Sequence, residues 1–357
     1  MIVLSCFSFD FAILIMIKHL LPGSGNFYKA NLHCHTTISD GRKTPEEVRR
    51  IYKEQGYSVV AFTDHDVFIP HPELAEEDFL PLNGFEIEIN EWNKPWEHTK
   101  SCHLCFIALD PENHIHPLWH RTDYLFANAV NYRDRVQFDP EKPDFCRSHT
   151  PECVNAAIKT ARECGFFVTY NHPRWSLETL DDYGKYAGMN AMEIYNHGCY
   201  AEGYDDYAPA VYDDILRGGQ RCFCLSTDDN HNWVEPLSPH WDSFGGFVMI
   251  KADRLDYKEI TSALLAGNFY SSRGPEIYSL TYDTGAHTVT VECSNAEKII
   301  YTPGTRRQQT ARACECGAQY LNRAVFDVKP DELYFRISVY DTKGLTADTN
   351  AYFIDML

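Results

Sequence analysis

Positive charge is scarce in this chain. Its 357 residues include 51 Asp and Glu but only 32 Lys and Arg, a formal net charge of −19. A surface of that sign repels a nucleic-acid backbone and argues against long nucleic acid as a partner. A short anionic substrate is compatible only where bound divalent ions invert the local sign. A second CxxC is also missing. Cys102 and Cys105 flank His103 with that spacing, but no partner pair completes a four-thiolate zinc site, and Cys314-Glu315-Cys316 stands alone in a polar stretch. The 13 cysteines are odd in number and not spaced as a disulfide framework, which fits a reduced, cytoplasmic compartment. Internal repeats and low-complexity tracts are absent, which sets aside a solenoid.

Residues 1–21 are strongly apolar but lack the positive start and small-residue cleavage site of a signal peptide. Asp10 sits mid-run, where a charge is costly in lipid. The stretch reads as a loose lead-in or an over-long start before Met16, with a membrane anchor and a cleaved signal as alternatives. Membrane association is expected only if residues 1–21 are retained as an anchor.

The composition is 44% hydrophobic and 14% aromatic, enough for one large core with room for a second, smaller domain. Residues 26–275 alternate short apolar runs with capped helices. Lys29–His35 reads as a strand. Thr44-Pro45-Glu46-Glu47 opens a helix that Gly56 ends. Strands follow at Val59–Thr63, Phe79–Leu82, Phe85–Ile89 and Cys102–Leu109. Residues 110–150, rich in Pro, His and aromatics, read as an insertion over the mouth of the fold. Thr150-Pro151-Glu152 caps the next helix, and Phe166–Tyr170, Ala191–Tyr195, Arg221–Ser226 and Phe247–Lys251 read as strands. Helices are expected over Tyr204–Leu216 and from Asp256 to Gly267. The alternation predicts a parallel sheet of about seven strands closed into a distorted barrel. From residue 276 the texture changes to short alternating strands with turns such as Asp283-Thr284-Gly285, an all-β module resembling a small sandwich. The expected organisation is a lead-in over 1–25, an α/β barrel over 26–275 and an all-β module over 276–357.

Six histidines and three acids fall at or just after the apolar runs: His33, His35, Asp40, His65, Glu86, His103, His172, Asp229 and His231. Strand ends are where an α/β barrel keeps its chemistry. His33 and His35 are two apart, hence on one face of an extended segment. Asp40 lies in a turn, where Asp is common on its own account. Glu86 and Glu88 point to one side of a strand, and two such acids repel unless a cation lies near. His172 precedes Pro173, which holds it extended, and Arg174 beside it offers a planar phosphate partner. In Asp228-Asp229-Asn230-His231 either acid is a candidate ligand, and the spacing to His231 favours Asp229. Mixed N and O donors suit Mn, Zn or Fe without choosing among them. Nine ligands are too many for one ion and suit two or three.

The ordered set HxH…SDG…TDHD…GxE…H…NHP…DxH resembles the PHP (polymerase and histidinol phosphatase) family over roughly residues 28–275. Glu193-Ile194-Tyr195-Asn196 and the stretch Gly267–Pro275 fit as well. The resemblance implies a distorted (β/α)7 TIM-like barrel and a trinuclear site. By position, His33, His35, Glu86 and Asp229 would hold one ion, and Glu86 would bridge to a second on His103 and His172. Asp40, His65 and His231 would hold the third. The run Asp228-Asp229 departs from the family, which often has a small residue before the acid.

The expected function is a metal-dependent phosphoesterase acting through a metal-activated hydroxide on a small phosphorylated metabolite or short nucleotide. Arg174, Asp229 and His231 are the expected catalytic residues. Arg42 and Arg273 stand behind Arg174 as phosphate contacts, Asp66 is expected to orient a ligand or cap a helix, and Asn196 and His197 are candidate pocket residues. The alternatives are a histidinol-phosphatase-like enzyme, a metal-stabilised surface-associated binding protein, and an amidohydrolase. The last is disfavoured because no strand-end lysine joins the set.

Overall fold

The computed structural model describes residues 16–92 and 95–357. Most of the apolar N-terminal run therefore lies outside the described residues. Helices form where the sequence caps them. Thr44 Oγ1 accepts from the Glu47 amide at 3.2 Å, and the Glu47 carboxylate accepts from the Thr44 amide at 2.8 Å, which opens Pro45–Glu54. Thr150 opens Pro151–Glu163 by accepting from the Cys153 amide, and Asp256 opens Tyr257–Ala266. Gly267 ends the last of these at a φ of 72°, which favours glycine. The expected helix over Tyr204–Leu216 is shorter, Pro209–Arg217, because Pro209 is seated at its first turn. A separate helix, His197–Glu202, precedes it.

The strands form a large mixed sheet rather than the parallel one expected. Asn26–Asn31, Val59–Phe62 and the first half of Leu80–Asn90 pair in parallel. Ser101–Ala108 then runs antiparallel to both Leu80–Asn90 and Phe166–Tyr170. Parallel pairing resumes through Ala191–Asn196 to Phe223–Thr227. On the other flank Asn26–Asn31 pairs antiparallel with Phe247–Ala252, which pairs antiparallel with Phe269–Ser272. The antiparallel strand follows from chain length: Asn90 and Ser101 are opposite each other, and the connection between them is too short for a crossover helix. The expected runs Phe79–Leu82 and Phe85–Ile89 are one strand. Gly84 allows this, because a Cβ there would stand 2.8 Å from the Phe106 carbonyl oxygen.

The ladder does not close into a barrel among the described residues. Its last strand, Phe223–Thr227, is tied across the gap by side chains instead. Ser271 Oγ donates to the Cys224 carbonyl at 2.6 Å, and the Cys224 amide donates to Asn350 Oδ1 at 3.1 Å. An isolated bridge between Cys34 and Asn230 and the Arg42 amide donating to the His231 carbonyl at 2.8 Å join the two flanks there.

The C-terminal part is all-β. One sheet orders Ile17–His19, Ile277–Asp283, Thr288–Ala296 and Leu321–Asp327. Opposite it, Gln309–Arg312, Lys298–Pro303, Tyr334–Tyr340 and Thr346–Thr349 continue the large sheet through Phe269–Ser272. Alternating side chains, among them Val289, Val291, Phe326, Ile337 and Val339, fill the core between these layers. Residues 17–19 therefore belong to the C-terminal layer and not to a separate lead-in, and Leu21 is buried in that core. No helix among the described residues is long and apolar enough to cross a membrane.

Candidate metal centre

The nine residues singled out in the sequence converge. Their ligand atoms fall into three overlapping groups: His33, His35, Glu86 and Asp229; Glu86, His103 and His172; and His35, Asp40, His65 and His231. His35 thus belongs to two groups, where the resemblance implied one. In the first group the Nε2 atoms of His33 and His35 lie 3.0 Å apart. Each stands 3.2 Å from Glu86 Oε2 and 3.1 Å from Asp229 Oδ1. His103 Nδ1 and His172 Nε2 approach the other Glu86 oxygen at 3.2 and 3.6 Å. Asp40 Oδ2 lies 3.3 Å from His231 Nε2 and 3.9 Å from His65 Nε2.

Such a cluster of electron pairs is costly to bury without a cation. Glu86 Oε2, His65 Nδ1 and His103 Nε2 are all buried and make no hydrogen bond, although Glu86 Oε2 and His65 Nδ1 are only 3.3 Å apart. The proton balance of the protein alone points the same way. Burial opposes charge on His35, but the Asp229 and Glu86 carboxylates beside it raise it to about 10. Burial likewise opposes charge on His172, and Glu86 and Asp229 raise it to about 9. Burial opposes charge on Glu86 and Asp229 too, but the surrounding histidines hold both well below the usual carboxylate range. Burial and the neighbouring His35 push His65 down to about 3. With no ion the acids stay charged only by keeping protons on the histidines, and a divalent ion would displace those protons. The donor set and its unpartnered atoms fit such an ion.

A second layer of groups orients the first. Glu193 accepts from His33 Nδ1 at 2.8 Å and also takes the His172 amide and the Asn196 side chain, each at 2.9 Å. That fixes the His33 tautomer and turns its Nε2 lone pair inward. Asp64 gathers the Thr36 and Ser39 amides and hydroxyls at 2.7–3.0 Å and so holds the turn that carries Asp40. Asn171 donates to Glu86 at 2.7 Å, and Asn196 to Asp229 at 3.1 Å. Asp228 accepts the amides of Phe244, Gly245 and Gly246 and the Tyr52 hydroxyl at 2.8–2.9 Å. It braces a loop, and Asp229 is the acid in the cluster. Asp66, His172 and Asp229 all hold positive φ, a strain that functional sites tend to store.

The other candidates fare differently. Arg174 is exposed and does not line the cleft over the cluster, so it is not placed as a phosphate clamp. Arg42 stacks 3.6 Å over the Trp233 ring, and Arg273 lies 4.2 Å over Tyr195, away from the nine. The Asp66 side chain joins none of the three ligand groups and caps no helix, although its amide donates to the Glu86 carbonyl at 2.7 Å. Its carboxylate forms a buried ion pair with Arg147 at 2.5 Å and so anchors the 110–150 insertion. His197 bonds to Tyr195 at 2.8 Å, outside the cleft. Cys102 and Cys105 are buried free thiols, and burial pushes Cys105 up to about 12.

Sequence reasoning gave Glu193 no role. The available signal was a lone acid inside the apolar run Ala191–Asn196. It also missed Trp96, Phe126, Trp175, Trp233 and Glu202, which line a cleft of about 460 Å³ whose floor is the histidine and carboxylate cluster. These residues come from separate loops and short helices, and no spacing rule connects them. Phe126, from the insertion, packs against His65 with ring centroids 4.9 Å apart.

No protein-family model and no curated protein matches the chain. Among similar solved structures, one from Bacteroides vulgatus is a two-domain protein containing a predicted PHP-like metal-dependent phosphoesterase. It is 15% identical, covers 93% of this chain and 98% of its own, and has a TM-score of 0.44. A candidate metal-dependent phosphoesterase from Bifidobacterium adolescentis is 17% identical, with 60% and 91% covered and a TM-score of 0.36. An amidohydrolase from Chromobacterium violaceum with bound sulfate and no metal is 18% identical, with 57% and 87% covered and a TM-score of 0.36.

Proposed function

We propose that this chain is a metal-dependent phosphoesterase built on an α/β fold with a large mixed sheet over residues 26–275, with a β-module over 276–357. One observation carries the proposal: three overlapping groups of mostly buried histidines and carboxylates, with unpartnered ligand atoms, lie at and beneath the floor of one cleft. Two or three divalent ions are proposed. His33, His35, Glu86 and Asp229 would hold one, Glu86, His103 and His172 the second, and Asp40, His65 and His231 the third. Mn, Zn and Fe all suit these donors. When bound, such ions supply Lewis-acid stabilisation of a phosphoryl group and lower the pKa of a coordinated water.

The protein's own contribution is placement. Glu193 fixes one imidazole, Asp64 and Asp228 hold the loops on either side, and burial excludes bulk water from the floor. His231 is the more open of the Asp229–His231 pair, with a side chain 21% exposed toward the cleft, where it would meet the substrate. A small phosphorylated substrate matches the cleft volume.

The test is metal content together with hydrolysis of an aryl phosphate, for the wild type and for Asp229→Ala and His172→Ala. Two or three ions per chain, with activity lost in both variants, are expected. Bound ions with no hydrolysis of any phosphate ester would favour a metal-stabilised binding protein, and no ion in metal-replete, reducing buffer would overturn the proposal.

A further inference from the structure

The cleft is lopsided in charge. Among its described lining residues there is no lysine or arginine. Two of its acids, Glu88 and Glu202, lie outside the nine and pair with no lysine or arginine among the described residues. Asp242 differs, because its carboxylate is already committed to the His231 and Asn232 amides at 2.7 and 2.9 Å. Once ions neutralise the floor, the wall bearing Glu88 and Glu202 remains negative. A second phosphate on a substrate would meet that wall with no cation to receive it.

The rest of the lining is aromatic. Trp96 and Trp233 are 48% and 58% exposed, an unusual cost for indoles unless they meet a ligand. Trp175 lies within hydrogen-bonding reach of Glu202, so one wall presents a ring and a carboxylate together. The Trp233 ring is already stacked by the Arg42 guanidinium, so Trp96 and Trp175 are the rings open to a second cation. Aromatic faces backed by carboxylates favour a diffuse, weakly hydrated positive charge over a compact primary ammonium, which demands several close acceptors.

We propose that the cleft selects phosphate monoesters whose alcohol half carries a quaternary or alkylated ammonium, with the phosphoryl end over the histidine and carboxylate cluster and the cation among Trp96, Trp175, Glu88 and Glu202. The phosphoryl half of this assignment rests on the phosphoesterase proposal, and the cation half does not.

Two experiments separate the halves. In the first, tryptophan fluorescence of the full chain is titrated with choline and with its uncharged carbon isostere, 3,3-dimethylbutanol. Saturable quenching by choline, at least about tenfold tighter than by the alcohol, is expected. Glu202→Gln and, separately, Glu88→Gln should each shrink that preference. Equal binding of both probes, or a preference unmoved in both variants, overturns the cation subsite. In the second, the metal-loaded protein is assayed on phosphocholine and on 3,3-dimethylbutyl phosphate. A kcat/KM preference of about tenfold for phosphocholine supports the proposal, and parity overturns it. Choline binding without hydrolysis of any phosphate ester would support the cation subsite while overturning the phosphoesterase proposal.

Discussion

Two buried clusters of charge can be set side by side in this molecule. One lies where the C-terminal strands meet the helix Pro209–Arg217. There Arg336 places two nitrogens 3.0 Å from the Asp213 carboxylate and a third 3.6 Å from Asp348, while Tyr334 and Tyr207 hydroxyls fill the remaining positions at 2.9–3.2 Å. The other is the nine-residue centre, where acids and imidazoles face each other and three of their atoms bond to nothing. Both are buried and rich in carboxylate. The first has its cation built into the chain and is satisfied, whereas the second has none. Carboxylate burial alone therefore does not mark a metal site. The balance between acceptors and built-in cations does.

Breaking the first cluster should produce the largest change in stability. Arg336→Ala strands Asp213 and Asp348, and denaturant unfolding should show a loss of about 3–5 kcal/mol. Added metal should not restore that loss. An equal loss that divalent ions reverse would erase the distinction between the clusters.

Loosening the second cluster without touching a proposed ligand is the next test. Glu193→Gln removes the carboxylate that fixes His33, and metal affinity by competitive titration should fall by about 10–100-fold. Unchanged affinity would make Glu193 a structural residue only.

The two clusters should also part company in pH. His35 and His172 hold their protons up to about 10 and about 9 in the ion-free protein, against an ordinary 6.5. Groups whose pKa rises on folding add stability that is fully present below about 6.5 and lost as pH climbs through those raised values. The melting temperature of ion-free protein should therefore fall between about pH 7 and about pH 10. Metal-loaded protein should resist, because the ions have already displaced the protons. Parallel pH curves with and without metal would argue that the imidazoles do not bind it.

The smallest effect is expected at Arg174. An exposed side chain off the cleft lining should cost far less on replacement by alanine than the roughly 10²–10³-fold of a lost oxyanion donor. A loss of that size in kcat/KM would return Arg174 to the site.

The nine residues of the centre were legible because each is a polar group at or beside a short apolar run, although Glu86 lies mid-strand in Leu80–Asn90 and Asp40 in a turn. Helix starts were legible for a local reason as well: Thr44, Thr150 and Asp256 each cap within three residues. Strand direction was not legible. Apolar runs read alike whether parallel or antiparallel, and only the short link from Asn90 to Ser101 distinguishes them. The cleft walls were hidden because Trp96, Phe126, Trp175 and Trp233 come from four separate segments with no shared period. Arg174 misled because adjacency to His172 in sequence says nothing of where a side chain after a proline is aimed.

The strand Phe269–Ser272 bonds on one side to Phe247–Ala252 and on the other to Thr346–Thr349. A boundary drawn after residue 275 thus runs beside a shared strand and through no flexible tether. A chain cut there would bare a row of amide and carbonyl groups along Phe269–Ser272, a template for pairing with other chains. It would also strip Asn350 from the Cys224 amide at the open flank of the sheet. The β-rich tail thus shields the half that carries the histidine and carboxylate cluster from edge-to-edge pairing, and the two halves should be expressed and degraded as one body.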